Sequence, residues 1–396
     1  MRAARLGALW FGIQAVWAAV LGVVLQDRVS ALDPHAVTSF ALLASTGAAF
    51  AAVVQIVAGI ASDRLRARTG DRRLFYRVGV GLAVPAIVGI VVAPTFTALW
   101  VAVMLLQLGM NVAGGPYQAI VPDYVEPQRV GRASSWMSVN QFCGSFTGPL
   151  LATLLHGVAF AVALAGCLVG GLWVTDAAIA RLPRSYAPHA ALRLDANGRI
   201  VLISRALINL GFYTLVGFLF FFVRESLDVR DARTTTGILS LAFTLAGVLG
   251  AAAAGRAADR IDKRLVVTGA CLAIALAVGA FAAARSVPAA LACALASGAA
   301  WGAFFTADWA IAYAVLPRDA MAAAMGVWNL GAAIPQIVAP IITAPLVTVL
   351  DARSAGLGPR AALALVIVEF ALGTAYIWRL QLRVSAASSA AVNASG

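Results

Sequence analysis

Gly59-Ile60-Ala61-Ser62-Asp63-Arg64 ends one apolar run and opens a basic one that reaches Arg73. The arrangement returns at Gly255-Arg256-Ala257-Ala258-Asp259-Arg260, followed by Lys263-Arg264. The two Asp-Arg pairs stand 196 residues apart in a chain of 396. A second pair of stretches repeats at a similar offset. Glu126-Pro127 leads to Trp136 and Asn140, and Leu316-Pro317 leads to Trp328 and Asn329. The chain therefore reads as built twice, from two halves in the same orientation, with a binding site expected between them. Residues 1–180 form the first half, 181–198 a cytoplasmic linker, and 199–396 the second half with a short cytoplasmic tail.

Between these marks the sequence is dominated by apolar residues. The apolar share is 62% and the charged share 12%, against roughly 45–50% and 25% in soluble domains. Too few polar side chains remain to coat a globule in water. That excludes an ordinary soluble enzyme, a disordered chain and a fibrous repeat. The apolar runs have helix length, and only closed hydrogen bonding within a helix satisfies such a backbone in lipid. They predict spans over 6–25, 37–60, 74–94, 96–119, 133–157, 159–180, 199–223, 233–254, 265–284, 287–315, 321–349 and 361–380. The expected fold class is all-α integral membrane, twelve transmembrane helices in two six-helix bundles. Met1 to Arg5 and the run behind them mimic a signal peptide. The run continues to Leu25 and holds Trp10 and Trp17, so it reads as an uncleaved first span.

The net charge of +12 suggests nucleic acid only until its distribution is read. With the amino terminus inside, inner segments hold 22 basic residues and outer segments 7; the inner set includes five from Arg181 to Arg205. This is a positive-inside pattern. It predicts a multi-pass protein of the inner (cytoplasmic) membrane with both termini cytoplasmic, and no nucleic-acid partner. Cys143, Cys167, Cys271 and Cys293 all lie inside apolar runs, with neither a disulfide framework nor metal-ligand spacing.

Two carboxylates lie deep in apolar runs, Asp308 in span 10 and Glu369 in span 12. An ionisable group there is costly and is a functional candidate by default. Both are candidates for proton coupling, since burial favours a carboxyl's neutral form. Asp308 shares a helix face with Trp301 and Phe305, an acid beside aromatic planes that suits a sugar's hydroxyls and CH face. For Glu369 the plainer alternative is packing against a neighbour or snorkelling. Neutral polar groups form stripes: Gln107, Asn111 and Gln118 on span 4, Gln14 with Trp17 on span 1, Asn209 with Tyr213 on span 7, and Asn329 with Gln336 on span 11. Span 5 offers Asn140, Gly144 and Thr147. These amides suit an uncharged polyhydroxylated substrate better than a phosphate, which wants convergent basic groups. The structural alternative is hydrogen bonding between helices, worth under about 1 kcal/mol each.

The Gly-x-x-x-Asp-Arg-basic loops after spans 2 and 8 resemble the signature loop of the major facilitator superfamily. Two longer stretches resemble its glycoside–pentoside–hexuronide cation symporters and the related sucrose–proton symporters. One is Gly114-Gly115-Pro116-Tyr117-Gln118-Ala119-Ile120-Val121-Pro122-Asp123, with Gly131 to Trp136 beyond. The other is Ala307-Asp308-Trp309-Ala310, then Leu316-Pro317, Gly326-Val327-Trp328-Asn329 and Pro335 to Pro340. The resemblance implies that Asp63, Arg64, Asp259 and Arg260 hold a gating state. It also implies that the first, fourth, seventh and tenth helices line the cavity, with the twelfth outside it. Sodium-coupled melibiose carriers keep acidic ligands in the second helix. Span 2 has none, which argues against sodium and for protons. Gly144-x-x-x-Gly148-Pro149 resembles half of an antiporter signature, with Ser135 where a glycine is expected; close helix packing explains it equally well.

No motif reads as catalysis, so the chain is expected not to be an enzyme and to need no cofactor or metal beyond a proton gradient. Asn393-Ala394-Ser395 matches a glycosylation sequon on a tail expected inside, where chance explains it. The expected function is proton-coupled symport of a sugar or glycoside by alternating access, carried out by a monomer in the bilayer. The rivals are an efflux antiporter of a drug-like or other organic compound, and a receptor or scaffold without transport.

Overall fold

A computed structural model describes residues 2–32, 36–186, 190–354 and 356–381. Arg383 and the sequon at Asn393 lie outside them. The described chain folds into twelve helical rods. The first, α1 (2–32), runs through Arg2–Leu6 and Ala8–Ala19, a π-helical segment Val20–Val24, and Leu25–Leu32. Then come α2 (Ala36–Thr69), α3 (Arg73–Val92), α4 (Phe96–Tyr117), α5 (Val130–Leu154) and α6 (Gly157–Ile179). The second half holds α7 (Ala196–Phe221, ending in a π-helical segment Phe222–Ser226), α8 (Ala232–Arg260), α9 (Lys263–Ala283) and α10 (Val287–Val315). It closes with α11 (Met321–Trp328 continuing as Leu330–Asp351) and α12 (Leu357–Ile377).

Ten of these rods are long and apolar enough by themselves to cross a membrane. The other two are α1, whose uninterrupted apolar helix Ala8–Ala19 is short, and α5, which Ser134, Ser135, Ser138, Asn140 and Gln141 interrupt. The π segments fall late in the first helix of each half, a local irregularity shared by the two copies.

The expected loops after spans 2 and 8 are not loops. α2 runs nine residues past its expected end and α8 six, so both Asp-Arg pairs ride on helix. A helix leaving lipid keeps its hydrogen bonds in water. Arginine is moreover a good helix former, so nothing in Arg64 to Thr69 compels a stop. Gly70, with φ of 70°, supplies the stop as a left-handed residue just beyond the helix.

Packing of α1 against α5 depends on small residues. A Cβ on Gly144 would run into the Phe11 carbonyl, and one on Gly148 into that of Ala15. The half antiporter signature is thus a site of backbone-to-backbone approach. The halves meet where α5 packs along α8 and α10, and where α2 packs along the first segment of α11.

Candidate functional site

The end of the bundle that carries the Asp-Arg pairs is sealed by helix capping across the halves. Asp63, on α2, accepts the backbone N–H groups of Ala322 (3.2 Å) and Ala323 (3.0 Å) in the first turn of α11. Asp259, on α8, accepts those of Gly131 (2.6 Å) and Arg132 (3.0 Å) in the first turn of α5. Each half thus places a carboxylate at a helix N-terminus of the other, where unpaired N–H groups and the helix dipole favour negative charge. Ser135 Oγ donates to the Ala251 carbonyl at 2.6 Å beside the second contact.

The arginines of the Asp-Arg pairs take no part in these caps: Arg64 and Arg260 are exposed. The cation on Asp63 is Arg72, 2.6 Å away and 2% exposed, which also meets Asp123 at 2.7 Å. Arg66 reaches Asp123 at 3.1 Å and the Arg318 carbonyl at 3.3 Å. The positive-inside pattern counts the basic run up to Arg73 as surface charge on the inner side; Arg66 and Arg72 are instead buried parts of a polar network.

Beyond this seal, α1, α5, α7, α10 and α11 surround a chamber of about 420 Å³. Its walls take Gln14, Trp17, Asn209, Tyr213, Trp301, Phe305 and Asn329 from the sequence-derived candidates. Trp10 and Trp309 meet across the halves with ring centroids 5.6 Å apart, and Phe142 and Phe305 do so at 5.9 Å. Gln14 donates to Gln141 Oε1 at 3.3 Å. Asn209 donates to the Arg205 carbonyl one turn back, which spends one of its amide hydrogens locally.

The span 4 stripe lies in an adjoining chamber of about 200 Å³. Gln107, Asn111 and Gln118 face Gln55 there, and Trp10, Trp17 and Asn329 border both spaces. A third chamber, about 300 Å³ and largely apolar, shares Phe142, Ser145, Phe212 and Trp301 with the first. Phe212 stacks on Trp301 at 4.1 Å with planes 8° apart, forming the partition between them.

Asp308 is 5% exposed and ion-paired with Arg205. The Arg205 guanidinium lies 3.4 Å over the Trp328 ring and itself lines the large chamber. The positive-inside count places Arg205 among the inner arginines. The structure instead places it nine residues into α7, about 14 Å along the axis. The sequence carries a signal for it, since the span predicted over 199–223 includes Arg205, one turn before Asn209, and a buried acid at 308 needs a counter-charge. The amides therefore do not stand alone, and a basic group does face the cavity.

Glu369 is 3% exposed, lies between α7 and α12, and accepts a bond from Thr214 at 3.4 Å. Gln336 is exposed and lines none of these chambers, because α11 turns it away on the face of Ile334 and Ile337. Sequence reading missed Arg205, Gln141 and the indoles of Trp10 and Trp309. Among the described residues no group of three or more His, Cys, Asp or Glu could hold a metal ion.

No curated protein matches the sequence. Among solved structures, a bacterial homologue of the iron transporter ferroportin in an outward-facing state is similar over 95% of this chain and 100% of its own. Its TM-score is 0.70 at 16% identity. The human organic anion transporter MFSD10 (TETRAN) is similar over 95% and 98%, with a TM-score of 0.66 at 15% identity. At such identities the likeness is one of fold. A family model described as Major Facilitator Superfamily matches residues 7–340, which takes in both cross-half caps, α7 with Arg205 and α10 with Asp308. Two six-helix halves that cap one another's helices around a central chamber fit that match, and the chain belongs to the Major Facilitator Superfamily, a family of transporters rather than enzymes.

Proposed function

We propose that this protein is a proton-coupled symporter that carries a small organic solute by alternating access. The observation that carries this reading is the Arg205–Asp308 pair, which joins α7 to α10, with Arg205 lining the chamber and Asp308 buried behind it. A proton on Asp308 cancels the pair and leaves the guanidinium to bind substrate; loss of the proton restores the pair and expels it. Aromatic walls with amides between them suit a solute that offers ring or CH faces and oxygen acceptors, the class that includes sugars and glycosides.

The arginine bias, one residue smaller once Arg205 is assigned to the chamber, supports a cytoplasmic location for the capped end and for both termini. The capped end is then closed to the cytoplasm, and the chamber is poised to load from outside an inner membrane. The absence of an acid in the Ala36–Thr69 helix before Asp63 favours protons over sodium.

The test is uptake by proteoliposomes under an imposed pH gradient, acid outside. Accumulation of a labelled solute that a protonophore abolishes is the expected result, with Asp308→Asn losing gradient-driven accumulation. Full accumulation by Asp308→Asn refutes the coupling role. A second reading, efflux of a drug-like compound, is favoured by the apolar third chamber of about 300 Å³. Vesicles preloaded with solute, with exit driven by an opposite gradient, distinguish it.

A further inference from the structure

The polar atoms around the large chamber are unevenly matched. Four of its lining residues hold a buried side-chain nitrogen with no partner: Trp10 Nε1, Gln141 Nε2, Arg205 Nε and Trp309 Nε1. All four residues are more than nine-tenths buried. Every one of these atoms is a donor; the unpartnered acceptor nearby, Gln118 Oε1, belongs to the adjoining chamber. Buried donors left without acceptors are costly, and evolved interiors seldom keep several in one place unless water, an ion or a ligand satisfies them. A neutral polyol can accept from these N–H groups, but each of its hydroxyls also carries a hydrogen that needs an acceptor, which they do not supply. A carboxylate brings acceptors alone and carries the charge that a guanidinium prefers.

We propose that the chamber binds an organic monoanion, a carboxylate on an aromatic or aliphatic body, with the carboxylate on Arg205 and the body against the Phe212–Trp301 partition. This rests on the transport reading above and narrows its substrate from an acceptor-rich solute to an acid. The apolar chamber behind the partition extends the space for the body, since Phe142, Phe212 and Trp301 border both.

The charges make anion and proton enter together. With Asp308 ionised, Arg205 is neutralised and the pair carries no net charge; with Asp308 protonated, one positive charge is free for the anion. Tyr213 on α7 is the other titratable group in the wall, and Tyr313, on the helix of Asp308, is turned to Met137 at 3.4 Å. Glu369 stands behind α7 on Thr214. The described charged side chains of α5, α8 and α9 sit near the ends of those helices, away from the pair. Asp308 is thus the acid whose protonation releases Arg205.

The probes are 4-phenylbutyrate, its neutral amide 4-phenylbutanamide, and acetate, measured by equilibrium binding to the purified full chain at pH 5.5 and pH 8. The expected order is phenylbutyrate at least about tenfold tighter than the amide and tighter than acetate, as befits a charged hydrogen bond plus a buried ring. Wild type binds phenylbutyrate more tightly at pH 5.5, whereas Asp308→Asn binds it with an affinity that no longer follows pH. Arg205→Gln alone leaves Asp308 buried without a partner and can fail to fold. The double variant Arg205→Gln with Asp308→Asn removes both charges, and is expected to keep its melting temperature within a few degrees while losing phenylbutyrate binding about tenfold or more. Equal binding of acid and amide, unaltered acid binding by the folded double variant, or no acid binding at millimolar concentration overturns the proposal. Tight acid binding without flux in vesicles refutes the transport reading and leaves the anion site standing. Proton-driven flux of a neutral solute with no acid binding does the reverse.

Discussion

Replacing Asp63 by asparagine tests the seal at the capped end. In the closed arrangement the Asp63 carboxylate takes two backbone N–H groups of α11, at 3.2 and 3.0 Å, and is 3% exposed. Its ion pair with Arg72 lies within one half, so a separation of the halves does not by itself break it. Of the contacts described for Asp63, the two to N–H groups of α11 cross the halves. Asparagine has one acceptor oxygen and turns an NH₂ toward the second N–H group. The change therefore loses one charge-assisted hydrogen bond, worth roughly 1.5–3 kcal/mol. It also removes the attraction of a full charge for the start of a helix, roughly 0.3–1 kcal/mol. Together these weaken the closed end by about 2–4 kcal/mol, or about thirtyfold to several hundredfold in population. The assay is the distance between spin labels at Arg68→Cys on α2 and Arg256→Cys on α8, both exposed, in a background without the four native cysteines. Asp63→Asn is expected to move the distribution to longer distances. An unchanged distribution in a protein of normal melting temperature refutes the capping argument.

Gly131→Ala is expected to act in the same direction, because its Cβ would stand 2.7 Å from Asp259 Oδ1 and 2.7 Å from the Ala258 carbonyl carbon; the same labels report it. Gly144→Val is expected to lower the melting temperature in detergent by overpacking against the Phe11 backbone, at a cost of about 1–3 kcal/mol, with no change in the label distance. Asp308→Ala leaves Arg205 charged and buried at about 3–5 kcal/mol, and adding Arg205→Ala is expected to recover part of that loss in thermal unfolding.

Much of the architecture is legible in the sequence. The apolar run predicts span 10 over 287–315, and the helix is Val287–Val315. An apolar run bounded by Ser286 and Leu316-Pro317 leaves little freedom in lipid. The ends facing water were less legible: α2 and α8 overran because hydropathy reports where lipid stops, not where hydrogen bonding stops. The seven candidates that share the large chamber came from stripes at helical spacing, which report a common face. Gln336 shares such a stripe with Asn329, yet it lies two turns, about 10 Å, farther along α11, where that face is exposed beside Ile334 and Ile337. Arg64 and Arg260 were singled out by their position next to the aspartates. On a helix, neighbours in sequence point about 100° apart, so the aspartates turn inward and the arginines outward.

The sequence by itself determined what local physics determines: helices long enough to span lipid, two copies of one half, and a charge bias that orients them. A backbone in hydrocarbon has few alternatives, and a repeat is visible by inspection. Tertiary structure alone decided which charges meet. Asp308 and Arg205 are 103 residues apart, and an arginine near the start of an apolar run reads the same whether it reaches outward to headgroups or inward to an acid. Packing of α7 beside α10 chooses between these, because a buried charge is tolerated only with a partner in reach. The four unpartnered donors were likewise beyond sequence, since an indole or amide is satisfied or orphaned only by what the fold places opposite it.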